Sequence, residues 1–376
     1  MESTSGELQR EAEALTHALA ELYGNSPLAE VGTRLINSLE GVAHAVAAGQ
    51  PAYTLARAIA SARWTRDALP QSFGDRFHFD ALLVQAVLKR WSGPGAAFSH
   101  FCVPRYGRGW GFSKVPMPSE DRNVLHTVRV ISFPGSDRLV DIDLSDYPWL
   151  LHELAHDALF TSREFMQAFS KCLIQRIRTL KLRASADHGS AALRAAERIA
   201  TLERYWTPQS TQLDWAHEVA VDVAAFWSLG PTFSLCFRRL LDDGAVDVYS
   251  ATDQHPPYLT RAQALLQAAE RLGWSDEAWA LREQIRLRRA EGDSGLLVYG
   301  DSEILNAVVE ESCLACELLN IPRMTSTEFD EMQQEANGGA TVPFGIGMIV
   351  LGGLQKTRLS SSEYGTWMER LIESVA

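Results

Sequence analysis

Residues 149–160 read WLLHELAHDALF, and two histidines four apart in an otherwise apolar run decide how the rest of the chain is read. Pro148 suits the first turn of a helix, with Ser145 or Asp146 as caps, so the stretch is expected to be helical. Four residues are close to one helical turn. His152 and His156 therefore project from one face toward a common point, the HExxH arrangement that builds half of a metal site. Glu153 stands beside that point, where a carboxylate acts as general base toward an attacking water. At average residue frequencies a chain of 376 residues carries HExxH by accident on the order of 1% of the time, which weighs against an amphipathic helix with two chance histidines.

A catalytic zinc ion takes three protein ligands and keeps one position open. The metzincin continuation fails, because DALFTSREF follows His156, so the third ligand comes from farther along the chain. Residues 214–227, DWAHEVAVDVAAFW, carry Glu218 and Asp222 one turn apart on a helix expected to pack antiparallel to the first. Glu218 can complete the metal shell while Asp222 accepts a hydrogen bond from the far nitrogen of a ligand histidine and fixes its tautomer. Val219, Ala220, Val221, Val223, Ala224 and Phe226 make the surroundings apolar, and a buried carboxylate needs a partner. His217 is the rival ligand.

Outward from these helices, apolar positions recur at helical spacing from Ser3 to about Trp91, with breaks at 24–27, 50–51 and 70–74. Residues 93–118 are rich in Gly, Pro and aromatics and read as loop or irregular strand. Residues 126–133, HTVRVISF, alternate as a strand does, and 139–144 form a second short strand candidate. Helices are expected at 162–182, 191–205, 211–228, 260–272 and 276–291, and a further helical block runs from about 296 onward. The expected fold class is α+β, mainly helical, with a small sheet packed beside the HExxH helix. Three parts are expected: an N-terminal helical segment at 1–92, a core carrying the motif at 93–295 and a C-terminal helical domain at 296–376.

A net charge of −12 argues against coating nucleic acid through bulk electrostatics. The first residues, MESTSGELQREAEAL, lack the charged start and apolar core of a secretory signal, and cytoplasmic residence is expected. The most apolar stretch, residues 342–354, is shorter than the roughly 18 to 20 residues a spanning helix requires, so no membrane partner is expected. Five cysteines in this context read as reduced thiols, and Cys313 and Cys316, without a second pair at metal spacing, as buried core residues.

Downstream stand Asp253, Gln254, His255, Pro256, Pro257, Tyr258, Leu259, Thr260 and Arg261. The order HExxH, then ExxxD about sixty residues on, then HPxxxxR, resembles the motif order of the HtpX-like and related soluble gluzincin zinc peptidases. The matching motifs run from Leu151 to about Arg261. The resemblance implies a gluzincin-like core and one zinc ion per chain, held by His152, His156 and Glu218, with Glu153 as base and Asp222 behind a ligand. It also implies that His255 donates to the oxyanion of the reaction and that Arg261 braces that loop or a substrate carbonyl. The alternative for His255 is a turn histidine ahead of two prolines. The membrane helices of the HtpX branch have no counterpart here, so its membrane role is not carried over.

Two further features suggest regulation. Cys102 lies in the Gly/Pro-rich segment, where a thiolate would act as an inhibitory metal ligand by taking the open position of the zinc; the alternative is a small buried thiol. Residues 171–183, KCLIQRIRTLKLR, form a basic amphipathic helix suited to an anionic activator such as single-stranded DNA, or a solvated face balanced by acids elsewhere. A soluble gluzincin with added helices and a latch resembles the CBASS-associated regulatory peptidases of the CapP family, paired with helix-turn-helix repressors in bacterial stress and anti-phage operons. That resemblance implies an endopeptidase whose protein substrate is such a repressor. The substrate segment is expected to be laid as an added strand beside an edge strand such as 126–133. Two other classes stay open. One is a small-peptide hydrolase, for which the amine-binding signature GxMxN is missing; the other is a non-catalytic binding or sensor module whose zinc is structural, with Cys102 as fourth ligand.

Overall fold

The computed structural model describes residues 5–69, 73–92, 102–116, 127–136, 138, 142–184, 190–207, 214–242, 247–291, 301–338 and 345–375. Among them the chain is mainly helical with one three-stranded sheet. No described helix is long and apolar enough to cross a membrane.

Contacts divide the chain into two compact units, one of residues 1–88, 95–142 and 369–376, the other of residues 89–94 and 143–368. This grouping differs from the sequence boundaries near 92 and 296. In the first unit, α1 (Ser5–Tyr23), α2 (Ala29–Ala47) and α3 (Ala52–Ala68) pack on one another, as the apolar spacing at Leu8, Leu15 and Leu19 and at Leu35, Leu39 and Val42 requires. α4 (Asp75–Ser92) continues into the second unit. The Gly/Pro/aromatic segment forms β1 (Cys102–Gly107) and β2 (Gly111–Pro116), which flank β3 (Thr127–Pro134) in the order β1-β3-β2. β1 runs parallel and β2 antiparallel to β3, with Val103 opposite Val130 and Phe112 opposite Ile131. The strand at 126–133, expected as an edge for an added substrate strand, is therefore the central one of the described sheet, and its ladder groups are taken by β1 and β2. The buried pair Arg76–Asp80 (3.0 Å) fastens α4 to this sheet. Arg76 donates to the Pro134 and Ser136 carbonyls at 3.0 and 3.1 Å, and the Tyr106 hydroxyl donates to Asp80 at 2.9 Å.

In the second unit a 3₁₀ turn (Leu144–Asp146) leads into α5 (Pro148–Thr161), α6 (Arg163–Ala184) and α7 (Ser190–Tyr205). Then come α8 (Trp215–Leu229), α9 (Pro231–Asp242), α10 (Tyr258–Leu272), α11 (Ser275–Glu291), α12 (Ser302–Leu318), α13 (Ser326–Gly338), α14 (Ile346–Arg358) and α15 (Ser361–Val375), whose last residues belong to the first unit. Every residue of α8 is buried, as expected of a helix apolar on all sides, and α5, α9, α10 and α12 pack around it. The helices after residue 296, apart from the end of α15, thus belong to the same packed body as α8. The Trp227 indole donates to the Ile321 carbonyl and the Met324 amide to the Trp227 carbonyl, at 2.8 and 2.9 Å.

Two local expectations change. The second strand candidate at 139–144 lies partly outside the described residues, and its end, Leu144, starts the 3₁₀ turn. Neither Ser145 nor Asp146 caps α5: Tyr147 holds the cap position without a side-chain bond, and Pro148 opens the helix. Asp143 instead accepts from the Ser145 amide (3.0 Å), the Tyr364 hydroxyl (2.9 Å) and Lys356 (2.9 Å), which ties α14 and α15 to the start of the motif helix. α9 has no counterpart among the expected helices. It begins at Pro231 after Gly230, whose φ of 55° ends α8, and a Cβ at Gly230 would meet Trp274 and Met324 at 3.0 and 3.2 Å.

Candidate metal centre

The centre is built where α5 crosses α8. His152 meets Asp222, His156 meets Glu218, and Phe160 meets His217, so ascending positions on α5 meet descending positions on α8 and the helices run antiparallel. His152 Nε2 lies 3.6 Å from Glu218 Oε2 and His156 Nε2 3.5 Å from Glu218 Oε1. One ligand atom from each of the three residues falls within 4.8 Å of the others, and all three residues are buried.

The donor set fits a zinc ion. The 3.5 and 3.6 Å separations are long for hydrogen bonds. They approach the roughly 3.3 Å between neighbouring ligands of a tetrahedral ion with bonds near 2.0 Å. Burial, helped by the neighbouring His152, holds the His156 imidazole well below its ordinary range, so it is neutral. In the tautomer that carries its one proton on Nδ1, this neutral ring turns a lone pair toward the Glu218 carboxylate, an arrangement that a cation resolves. Burial acts to lower His152 too, but the hydrogen bond and charge of Asp222, with Glu218 beside it, outweigh burial and raise it. Asp222 Oδ1 accepts from His152 Nδ1 at 2.9 Å. That bond leaves Nε2 of the neutral ring as the free lone pair. No hydrogen-bond partner for His156 Nδ1 is found among the described residues, so of the two histidines of the cluster only His152 is oriented from behind.

Behind Asp222 stands Arg261. Its Nε and Nη2 donate to the two carboxylate oxygens at 2.7 Å each. Burial opposes ionisation of Asp222, yet the Arg261 charge and bonds hold it below the usual carboxylate range. Glu153, 8% exposed, is pushed up to about 7, chiefly by burial, with His152 opposing and Glu218 adding to the rise.

Compared with protein-family models, curated proteins and solved structures, the chain finds no match in any of the three. The functional reading therefore rests on this chain's own geometry.

His255 sits in the turn before α10, its side chain half exposed and its Nε2 3.8 Å from Glu218 Oε1. Its amide donates to Thr252 Oγ1 at 2.9 Å, and the Trp215 indole anchors the same turn through the Thr252 carbonyl at 2.8 Å. His255 is thus a turn histidine whose imidazole also faces the cluster. His217, the rival ligand, lies outside the cluster and closes a capping box: its amide donates to Asp214 at 3.1 Å while its Nδ1 accepts from the Asp214 amide at 3.4 Å. The Cys102 side chain lies outside the described residues. Cys313 and Cys316 are buried, free thiols on α12. On the basic helix α6, Lys181 pairs with Glu203 at 2.7 Å and Arg183 with Glu303 at 3.2 Å.

Three aromatic residues at this site carried no sequence signal. Trp149, Phe237 and Tyr258 place their rings 5.6, 5.4 and 5.2 Å from the Arg261 guanidinium. Trp149 adjoins the HExxH motif and Tyr258 falls at an unspecified position of HPxxxxR, and nothing in their spacing distinguishes them from core residues.

Proposed function

We propose that this chain is a zinc-dependent endopeptidase with His152, His156 and Glu218 as metal ligands and Glu153 as general base. The observation that carries the reading is the convergence of two imidazoles and a carboxylate at one buried point, with Asp222 behind His152 and Glu153 beside them. Zinc bound there would supply Lewis acidity toward a peptide carbonyl and lower the pKa of a water.

The chain's own groups account for the rest. Burial raises the Glu153 carboxyl toward neutral pH in the metal-free protein, and a cation beside it favours the ionised form: ionised, Glu153 takes the proton of the attacking water, and protonated, it delivers that proton to the departing amine. Asp222, clamped by Arg261, keeps His152 in the tautomer that presents Nε2. The half-exposed His255 imidazole donates to the substrate oxygen as it gains charge. Buried α8 shuts water out from behind the site, which strengthens these interactions.

We extend the proposal, on the resemblance carried by the motif order, the added helices and the candidate latch, to a cytoplasmic regulatory protease that cleaves a helix-turn-helix repressor in a bacterial stress or anti-phage system. Cys102 would be its latch and single-stranded DNA its activator. The test combines metal analysis with proteolysis of candidate repressors, with and without single-stranded DNA. About one zinc per wild-type chain, reduced in Glu218→Ala, with cleavage abolished in Glu153→Gln, supports the reading. A wild-type protein without stoichiometric zinc overturns it, and a Cys102→Ser protein no more active than wild type removes the latch.

A further inference from the structure

Arg261 is 4% exposed, and a guanidinium so placed has given up the water on both of its faces. Its edge is committed to Asp222 through two bonds of 2.7 Å. Its central carbon lies over the rings of Trp149, Phe237 and Tyr258, contributed by α5, α9 and α10, at 5.2 to 5.6 Å from their centroids. These distances lie inside the roughly 6 Å reach of a cation–π interaction, which is strongest when the cation is desolvated. The rings also brace one another. Trp149 and Phe237 lie 5.8 Å apart, and Phe237 and Tyr258 5.7 Å. Trp149 touches the metal site directly, its ring edge-to-face with His152 at 5.4 Å and 73°.

We infer that Trp149, Phe237 and Tyr258 form an aromatic box of positioning residues that acts through Arg261 and Asp222 to set the tautomer and aim of His152. The inference rests on the metal-site reading above and adds a specificity to it: the box requires a cation that makes two parallel bonds to Asp222 while lying over the rings. Arginine meets that requirement and lysine does not. Without the rings the guanidinium regains freedom to turn toward Glu218, whose Oε2 is already 3.9 Å from Nη2, and Asp222 loses the alignment that holds His152 Nδ1.

The experiment compares ring-keeping with ring-removing substitutions. Tyr258→Phe and Trp149→Phe keep an aromatic face; Tyr258→Leu and Trp149→Leu keep apolar bulk without one. Zinc affinity is read by chelator competition, and the His152 nitrogen shifts are read by NMR on the metal-free protein above neutral pH. The Leu variants, and Arg261→Lys, should weaken zinc binding by about 10- to 100-fold, the usual effect of disturbing a group behind a ligand. The Phe variants should stay within about threefold of wild type, a rescue that lost packing alone would not produce. In the metal-free protein the Leu variants should show mixed His152 tautomers and the Phe variants one. Equal zinc affinity in the Leu and Phe variants overturns the inference. Should Trp149→Leu fail to fold, the exchange at Tyr258, which lies at the edge of the box and is only partly buried, decides alone. A wild-type protein that binds no zinc sinks the peptidase reading, and the nitrogen shifts then judge the box separately.

Discussion

Replacing Glu153 with Gln should stabilise the metal-free protein, by an amount that grows with pH. Burial lifts the Glu153 carboxyl from 4.5 to about 7, so between these values the folded chain keeps a proton that the unfolded chain releases. The native state then binds more protons than the unfolded one, and the contribution of this group to stability falls as pH rises. It is undiminished below the unfolded value of 4.5 and fully lost above about 7. At about 1.4 kcal/mol for each tenfold change in proton affinity, the loss reaches about 3 kcal/mol. Gln keeps the shape of the side chain and cannot ionise, so Glu153→Gln escapes that loss. Urea unfolding of chelator-treated wild type and variant should show a difference small near pH ~4.5 and growing to about 3 kcal/mol by pH ~8.5. Added zinc should shrink it, because a cation beside the carboxylate favours the ionised form. A difference that stays flat across this range would refute the claim that Glu153 is held in a low-dielectric site beside His152 and Glu218.

Asp222→Asn keeps the shape of the side chain but leaves Arg261 without its counter-charge; zinc affinity by chelator competition should fall about 10- to 100-fold and urea stability by about 3 to 5 kcal/mol, and unchanged values for both would remove the clamp from the argument. His217→Ala should lower stability by about 2 to 5 kcal/mol, because it removes a buried ring packed on Phe160 and Phe169 as well as one arm of the capping box, while metal analysis still finds full zinc; a fall in zinc would restore His217 as a ligand. His255→Ala, at a half-exposed side chain, should retain zinc and stability within about 0.5 kcal/mol yet lower the turnover of a cleaved substrate on the order of 100-fold; full turnover would reduce His255 to its turn.

Much of the site was legible because it depends on helical periodicity. His152 and His156 are one turn apart, and so are Glu218 and Asp222, so each pair shares a face wherever its helix packs. The apolar residues around Glu218 signalled that its helix is buried, and all of α8 is. Elsewhere local signals were weaker. Gly230 and Pro231 mark a break but do not say that a helix follows, so α9 and its Phe237 were missed. The Gly/Pro-rich stretch at 93–118 concealed β1 and β2, whose pairing with β3 is decided by ladder hydrogen bonds rather than by local propensity.

By itself the sequence determined a mainly helical chain, two motif helices and the residue types able to hold a zinc ion, since these follow from spacing along one helix at a time. Only the tertiary structure decided that Asp222 serves His152 rather than His156, that His217 caps a helix, and that Arg261 lies among three rings. The physical reason is that each of these depends on which faces of α5, α8, α9 and α10 are buried against one another. A helix's periodicity fixes which of its residues share a face, but not which residue of another helix will stand opposite them.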